Sequence, residues 1–174
     1  MDDGLEATMY EAGLALLKRD DESCARAIRT SYHLLEERRA LDHNFYENLL
    51  KTSFEAGLQQ SVAAAFDSLC GAALYEEKVW ELGLWYFGDL IRQMIERGFE
   101  DSASSAIDGY NGLGVKTGAV ANDDQVFFGY LALLRGMFEA KFKKVIAPAR
   151  PSREKAKEIA ATKSLTMFPT EPPE

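Results

Sequence analysis

Pairs of adjacent aromatic residues recur in this chain at a constant spacing. The pairs are Phe45-Tyr46, Tyr86-Phe87 and Phe127-Phe128, and each step along the chain is 41 residues long. Residues 45–74 and 86–115 also share identical residues at that offset, namely Glu55/Glu96, Gly57/Gly98, Ser61/Ser102, Ala65/Ala106, Asp67/Asp108 and Gly71/Gly112. A fixed period near 40 residues with helical patterning is typical of stacked helix pairs. The sequence therefore predicts a fold built from helices.

Each copy predicts a helix, a tight corner and a second helix. In the first copy, apolar residues recur at the steps expected for one face of a helix; they are Phe45, Tyr46, Leu49, Leu50, Phe54 and Leu58. Gly57 and Gly98 stand where the first helix of each copy should end, because glycine adopts the left-handed conformation of a C-cap without steric cost. Ser61 and Ser102 follow at the distance expected of an N-cap for the second helix.

The N-terminal segment predicts a divergent first repeat. Tyr10–Leu14 matches residues 54–58, and a second helix is predicted over residues 21–39, with Asp20 and Asp21 as its caps. Because the two halves match the later copies at different offsets, we expect an insertion in this repeat.

The sequence also predicts N-caps for the helices around the copies at residues 45–74 and 86–115. Asp42 is placed to cap the helix that carries Phe45, and Asn122–Asp124 are placed to cap a last long helix over residues 125–146. Four glycines between residues 109 and 118 are expected to loosen the chain before that helix.

By period and pattern the chain resembles HEAT and armadillo repeats. This resemblance implies an all-α fold, with three to four antiparallel helix pairs in a short right-handed array over residues 1–146 and a tail over residues 147–174. Arrays of this kind present an extended surface to other macromolecules. We therefore expect a non-catalytic protein-interaction module or adaptor, an inference by analogy of fold.

Composition sets the expected compartment and cofactors. The acidic start Met1-Asp2-Asp3 does not resemble a signal peptide, and no apolar run approaches the roughly 18 residues that suggest a membrane span. We expect a cytoplasmic protein. Cys24 and Cys70 are isolated from other metal-ligand residues, so buried free thiols are expected, with no metal and no cofactor.

Charge is distributed unevenly along the chain. Residues 1–140 carry 12 Lys and Arg against 24 Asp and Glu, whereas residues 141–163 carry eight basic residues against two acidic ones. All five prolines lie at or beyond Pro148, and Ser152–Lys163 predicts a short helix. An acidic body disfavours nucleic acid as the partner, so we expect the basic arm to lie against its own body or an adjoining copy.

A protein partner is expected, and six residues are candidates for its contacts. The two tryptophans can form a hot spot, although a place in the core is favoured for them, and the arm supplies basic groups. The candidates are Trp80, Trp85, Lys143, Lys144, Arg150 and Arg153.

Two other functions remain open. The segment Arg38-Arg39-Ala40-Leu41-Asp42-His43 resembles the motif of HEPN-type ribonucleases, in which arginine would hold phosphate and histidine would act in acid–base chemistry. Local helix-end chemistry also explains these residues, because arginines suit the C-terminal end of a helix and His43 begins the next one. The other alternative is a ligand-sensing regulatory domain with an apolar pocket between its helices.

Overall fold

The protein is all-helical, as predicted. A computed structural model describes residues 3–146, and this range contains no strand. Its helical segments are α1 (Asp3–Lys18), α2 (Asp21–Glu37), α3 (His43–Ala56), α4 (Gln59–Tyr75), α5 (Val79–Leu82), α6 (Leu84–Glu96), α7 (Glu100–Lys116) and α8 (Gln125–Phe142). None of the helices in this range is both long enough and apolar enough to cross a membrane.

The described residues divide into two compact units, one ending at Glu76 and the other beginning at Glu77. In the first unit, α2 packs against α1 and α4, and α3 packs against α4. In the second unit, α6, α7 and α8 pack against one another, and α5 packs against α6. The predicted tail, residues 147–174, lies outside the described residues, as do the predicted helix Ser152–Lys163 and the arginines Arg150 and Arg153.

Three helix pairs turn through the same kind of corner. The left-handed residue of the corner is Arg19 (φ 56°), Gly57 (φ 74°) or Gly98 (φ 79°). The next residue is the N-cap of the following helix and donates its N–H to a carbonyl five residues earlier: Asp20 to Ala15 (2.9 Å), Leu58 to Ser53 (3.0 Å) and Phe99 to Met94 (2.9 Å). This is the hydrogen bond of a Schellman C-cap. The predicted roles of Gly57 and Gly98 are confirmed, and the repeated corner is compatible with a helical repeat.

The serines predicted to cap the second helices do not cap them. The N-cap residues of α4 and α7 are Leu58 and Phe99, and neither makes a capping bond with its side chain. Ser61 and Ser102 lie in the first turn of these helices and are buried. Leu58 and Phe99 are buried as well, so the N-cap side chains of α4 and α7 contribute apolar burial rather than a hydrogen bond to the helix.

The insertion predicted in the first repeat is not present. Helix α1 continues through Gly13, so the resemblance of Tyr10–Leu14 to residues 54–58 does not mark a corner. The corner lies at Arg19 and Asp20. Asp20 caps α2, as predicted, by accepting the N–H of Ser23 at 3.2 Å. Hydrogen bonds from the side chain and the backbone of Ser23 lower the pKa of the Asp20 carboxyl. Asp21 does not cap its own helix.

Other boundaries differ from prediction in the glycine-rich segment and at α8. Helix α7 runs through three of the four glycines to Lys116 instead of loosening. Gly114 packs so closely on Phe127 that a Cβ there would overlap the aromatic ring. Of the three residues predicted to cap α8, Asp124 is the N-cap, and the helix ends at Phe142 rather than at residue 146.

Buried polar hydrogen bonds accompany the apolar core. The hydroxyls of Ser31 and Tyr46 lie 2.9 Å apart inside the first unit. Burial raises the pKa of Tyr46 to about 12, although the Ser31 hydrogen bond opposes the shift. Cys24 and Cys70 are buried free thiols, as predicted, and burial raises the pKa of Cys24.

Candidate interaction surface

One whole face of α8 is exposed and carries no charge. The opposite face enters the core through Phe127, Leu131, Leu134 and Phe138. The outer face, called the α8 face below, consists of Gln125, Val126, Gly129, Ala132, Leu133, Gly136 and Ala140, all of which are exposed. Val126 is 67% exposed and Leu133 is 56% exposed. Surface helices usually present charged and polar residues on the side away from the core, so this face differs from an ordinary solvated surface.

Two glycines on the α8 face have no packing role in the described chain. A glycine inside a helix costs roughly 0.5–1 kcal/mol relative to alanine. Gly71 and Gly114 are required internally, since a Cβ would overlap Tyr32 and Phe127, respectively. A Cβ at Gly129 or Gly136, in contrast, would have no neighbouring atom within 4 Å. These two glycines therefore form open recesses on either side of Leu133.

Helix α1 has an exposed apolar ridge. Tyr10 is 69% exposed and Leu17 is 84% exposed. Gly13 is exposed between them, and a Cβ there would also have no neighbouring atom within 4 Å. Tyr10, Gly13 and Leu17, separated by three and then four residues, share one side of the helix. We call these three residues the α1 ridge.

Of the two tryptophans predicted to form a hot spot, the structure describes the side chain of Trp85 alone. Trp85 is the second residue of α6 and is 58% exposed, so the favoured prediction of a place in the core is wrong for this residue. Trp80 belongs to α5, and its side chain lies outside the described part of the structure. A partner contact by Trp85 stays a prediction, which its exposure permits.

The first residues of the basic arm fold back on the second unit. Lys143 adopts a left-handed conformation that ends α8. Lys144 then donates from Nζ to Oε2 of Glu100 at 2.5 Å, and this hydrogen bond raises the pKa of Lys144. Arg135 Nε donates to the carbonyl of Ile146 at 2.9 Å. The described part of the arm thus contacts its own body, as predicted, at the N-terminal end of α7.

His43 is held by a residue that sequence reasoning missed. Oε1 of Glu76, at the end of α4, lies 2.5 Å from the backbone nitrogen of His43 and 2.9 Å from its Nδ1. Asp42 caps α3, as predicted, by accepting the N–H of Asn44 at 2.9 Å. Glu76 therefore acts as a second carboxylate at the N-terminus of α3, where the helix dipole favours negative charge.

The ribonuclease candidates lie at the ends of two helices. Arg38 is the C-cap of α2, and His43 is the first residue of α3. Ligand atoms of Asp42, His43 and Glu76 lie within 4.8 Å of one another, close enough to suggest a metal site. The hydrogen bonds to the N-terminus of α3 already account for both carboxylates, so helix capping explains this cluster without a metal.

A groove in the first unit bears on the ligand-sensing alternative. It has a volume of about 400 Å³ and lies between α1 and α2. Its lining includes the charged residues Glu11, Lys18, Asp20 and Arg26. Its mixed lining differs from the apolar pocket that the alternative predicts, and the ligand-sensing alternative stays a hypothesis.

Comparison with known proteins leaves the function to be argued from these residues. No protein-family model matches the chain, and no curated protein or solved structure is significantly similar to it.

Proposed function

We propose that this protein is a non-catalytic helical interaction module that binds another protein through the α8 face. The observation that carries this proposal is the absence of charge along that face, which extends from Gln125 to Ala140. At a rise of about 1.5 Å per residue, the face is about 22 Å long. Cores of protein interfaces are depleted in charged residues in the same way.

The composition of the α8 face favours an apolar, helical or similarly narrow partner. Burial of Leu133 and Val126 on binding would gain about 25 cal/mol for each Å² of apolar surface removed from water. The recesses at Gly129 and Gly136 would let a partner approach the helix backbone closely, which increases the number of van der Waals contacts. A nucleic acid fits this surface poorly, because the face offers no basic group to phosphate and the chain carries a net charge of −8.

A HEAT- or armadillo-like arrangement is the form that we propose for this module. The 41-residue spacing and the shared corners at Gly57 and Gly98 support it.

A capture experiment with matched surface variants tests the proposal. The immobilised protein is incubated with native lysate and compared with Leu133→Lys and with the control Val145→Lys, which alters a side chain that is 82% exposed outside the α8 face. We expect specific bound proteins with the wild type and the control, and their loss with Leu133→Lys. Both variants should keep the wild-type circular dichroism, because exposed substitutions usually change stability by less than about 0.5 kcal/mol. An identical set of bound proteins for all three would contradict the proposal.

A further inference from the structure

We propose that the α8 face binds a second copy of this chain, which contributes its α1 ridge in an antiparallel helix pair. This inference rests on the proposed function, because it names the partner of the same face. Both surfaces are apolar and exposed, and both contain glycines that have no packing role in the described chain.

The two surfaces are complementary in shape. Along α8, Gly129, Leu133 and Gly136 form a recess, a projection and a recess, at steps of four and then three residues. Read from its C-terminal end, the α1 ridge gives Leu17, Gly13 and Tyr10, which form a projection, a recess and a projection at the same steps. The match extends over seven residues, about 10 Å of helix.

The antiparallel pairing places each projecting side chain over a glycine. Leu17 of one copy lies over Gly129 of the other, Leu133 lies over Gly13, and Tyr10 lies over Gly136. Close packing of this kind reproduces the side-chain interdigitation of a protein interior. Gly13, Gly129 and Gly136 reduce the stability of their helices, and this contact gives them a function.

A symmetric pair of α8 helices covers only one of the two apolar surfaces. In an antiparallel α8 pair, Leu133 lies over Gly129 of the partner and Val126 lies over Gly136, but the α1 ridge stays exposed. The α1–α8 contact covers both surfaces. Because it joins two different faces, each copy retains one free face after the first contact, and this face can pair with the same partner in a closed dimer or with a further copy.

The absence of charge on both surfaces is compatible with this contact between copies. Two chains of net charge −8 repel each other. The α1 ridge and the α8 face contain no charged residue, so they can approach without burying an unpaired charge. Added salt should strengthen the association, because it screens the repulsion between the acidic bodies and leaves the apolar contact intact.

Sedimentation velocity of the full chain at increasing concentration tests the inference. Wild type should form dimers or larger species as the concentration rises, whereas Leu17→Lys and Leu133→Lys should each be monomeric. An equimolar mixture of the two variants should form a one-to-one dimer, because one supplies an intact α8 face and the other an intact α1 ridge. The control Val145→Lys should assemble like wild type.

Glycine variants separate the contact from fold stability. Gly136→Ala should raise the melting temperature, since alanine favours helix and the space is open, yet weaken association about tenfold, the effect of losing ~1.4 kcal/mol of binding. Gly112→Ala alters a glycine inside α7 that also has no neighbouring atom within 4 Å of a Cβ. It should raise the melting temperature without weakening association.

Three results would overturn the inference. Wild type that stays monomeric throughout the concentration range would exclude a second copy as the partner. Leu17→Lys that dimerises like wild type, with Leu133→Lys monomeric, would indicate the symmetric α8 contact. Mixed variants that remain monomeric would exclude the α1–α8 pairing.

A monomeric wild type whose capture of another protein is lost in Leu133→Lys would leave the proposed function intact, whereas unchanged capture would contradict both proposals.

Discussion

Asp21, the first residue of α2, caps the N-terminus of α4 through Ser61. Its carboxylate accepts the N–H of Gln60 at 2.8 Å and the N–H of Ser61 at 2.7 Å, and the Ser61 hydroxyl donates to the same carboxylate at 2.8 Å. The first N–H groups of a helix have no partner within it. Asp21 supplies these partners from another helix. This explains how an apolar residue, Leu58, can be the N-cap of α4.

Removal of this carboxylate should destabilise the protein more than removal of an ordinary cap. We expect Asp21→Ala to reduce the free energy of unfolding by about 1.5–3 kcal/mol, since it leaves two N–H groups and a buried hydroxyl without their charged acceptor. Asp20→Ala, which removes the conventional cap of α2, is the control and should cost about 1 kcal/mol. Urea denaturation measures the free energy of unfolding of both variants. A smaller loss for Asp21→Ala than for Asp20→Ala would contradict the role assigned to Asp21.

The corner glycines should tolerate side chains differently from a glycine inside a helix. Gly98→Val places a β-branched residue at φ 79° and should cost about 1 kcal/mol or more. Gly112→Ala, inside α7, should stabilise the protein slightly. Thermal unfolding compares the two variants with wild type. Equal melting temperatures for Gly98→Val and wild type would count against the corner assignment.

Alkaline pH should destabilise the first unit through its buried tyrosines. Burial raises the pKa of both Tyr32 and Tyr46 from 10.0 to about 12. In the unfolded chain these phenols lose their protons near pH 10, so their contribution to stability is complete below pH 10 and is lost as the pH rises towards 12. Urea midpoints measured from pH 9 to 11 should fall with pH, and less steeply in Tyr46→Phe. Equal slopes for the variant and wild type would show that Tyr46 does not contribute.

The contact between Lys144 and Glu100 should depend on salt. Both side chains are partly solvated, so ions screen their attraction. Lys144→Gln should lower the melting temperature at low ionic strength and change it less at high ionic strength. Lys143→Gln alters the neighbouring lysine and serves as the control. A difference between the Lys144 and Lys143 variants that is unchanged by salt would mean that the contact is not electrostatic.

The protein should not cleave RNA without a metal. The side chain of His43 is 11% exposed, and its Nδ1 is bound to Glu76, an arrangement that helix capping accounts for. Incubation of purified protein with labelled RNA and EDTA provides the measurement. Cleavage that disappears in His43→Ala, while circular dichroism stays unchanged, would replace the interaction module with the ribonuclease alternative.

Local sequence signals predicted the corners at Gly57 and Gly98 but not the corner at Arg19. Gly57 and Gly98 end their helices because only the backbone of the nearby turn decides their conformation. The prediction that Ser61 and Ser102 are N-caps was wrong because it considered only neighbouring residues. The group that caps α4 is the carboxylate of Asp21, 40 residues before Ser61. The contact between Glu76 and His43 was not predicted either, because the two residues are 33 positions apart in the sequence. Contacts between distant helices depend on packing, which the period alone does not specify.

The α8 face could have been recognised from the sequence. The positions on its outer side, from Gln125 to Ala140, lack charge and include two glycines. The prediction used the aromatic pair Phe127-Phe128 only as a marker of the 41-residue spacing and did not consider the outer side of the helix. Only the structure shows that Gly129 and Gly136 have open space around them, in contrast to Gly114.

Photo-crosslinking from the α8 face tests the central claim most directly. A benzophenone amino acid at the exposed position Ala132 should form covalent adducts with a protein, and fragments of those adducts should contain residues 10–17 of a second copy. The same group at Val145, which is exposed outside the α8 face, is the control. An adduct yield at position 132 that does not exceed that at position 145 would contradict the claim that α8 is an interaction surface.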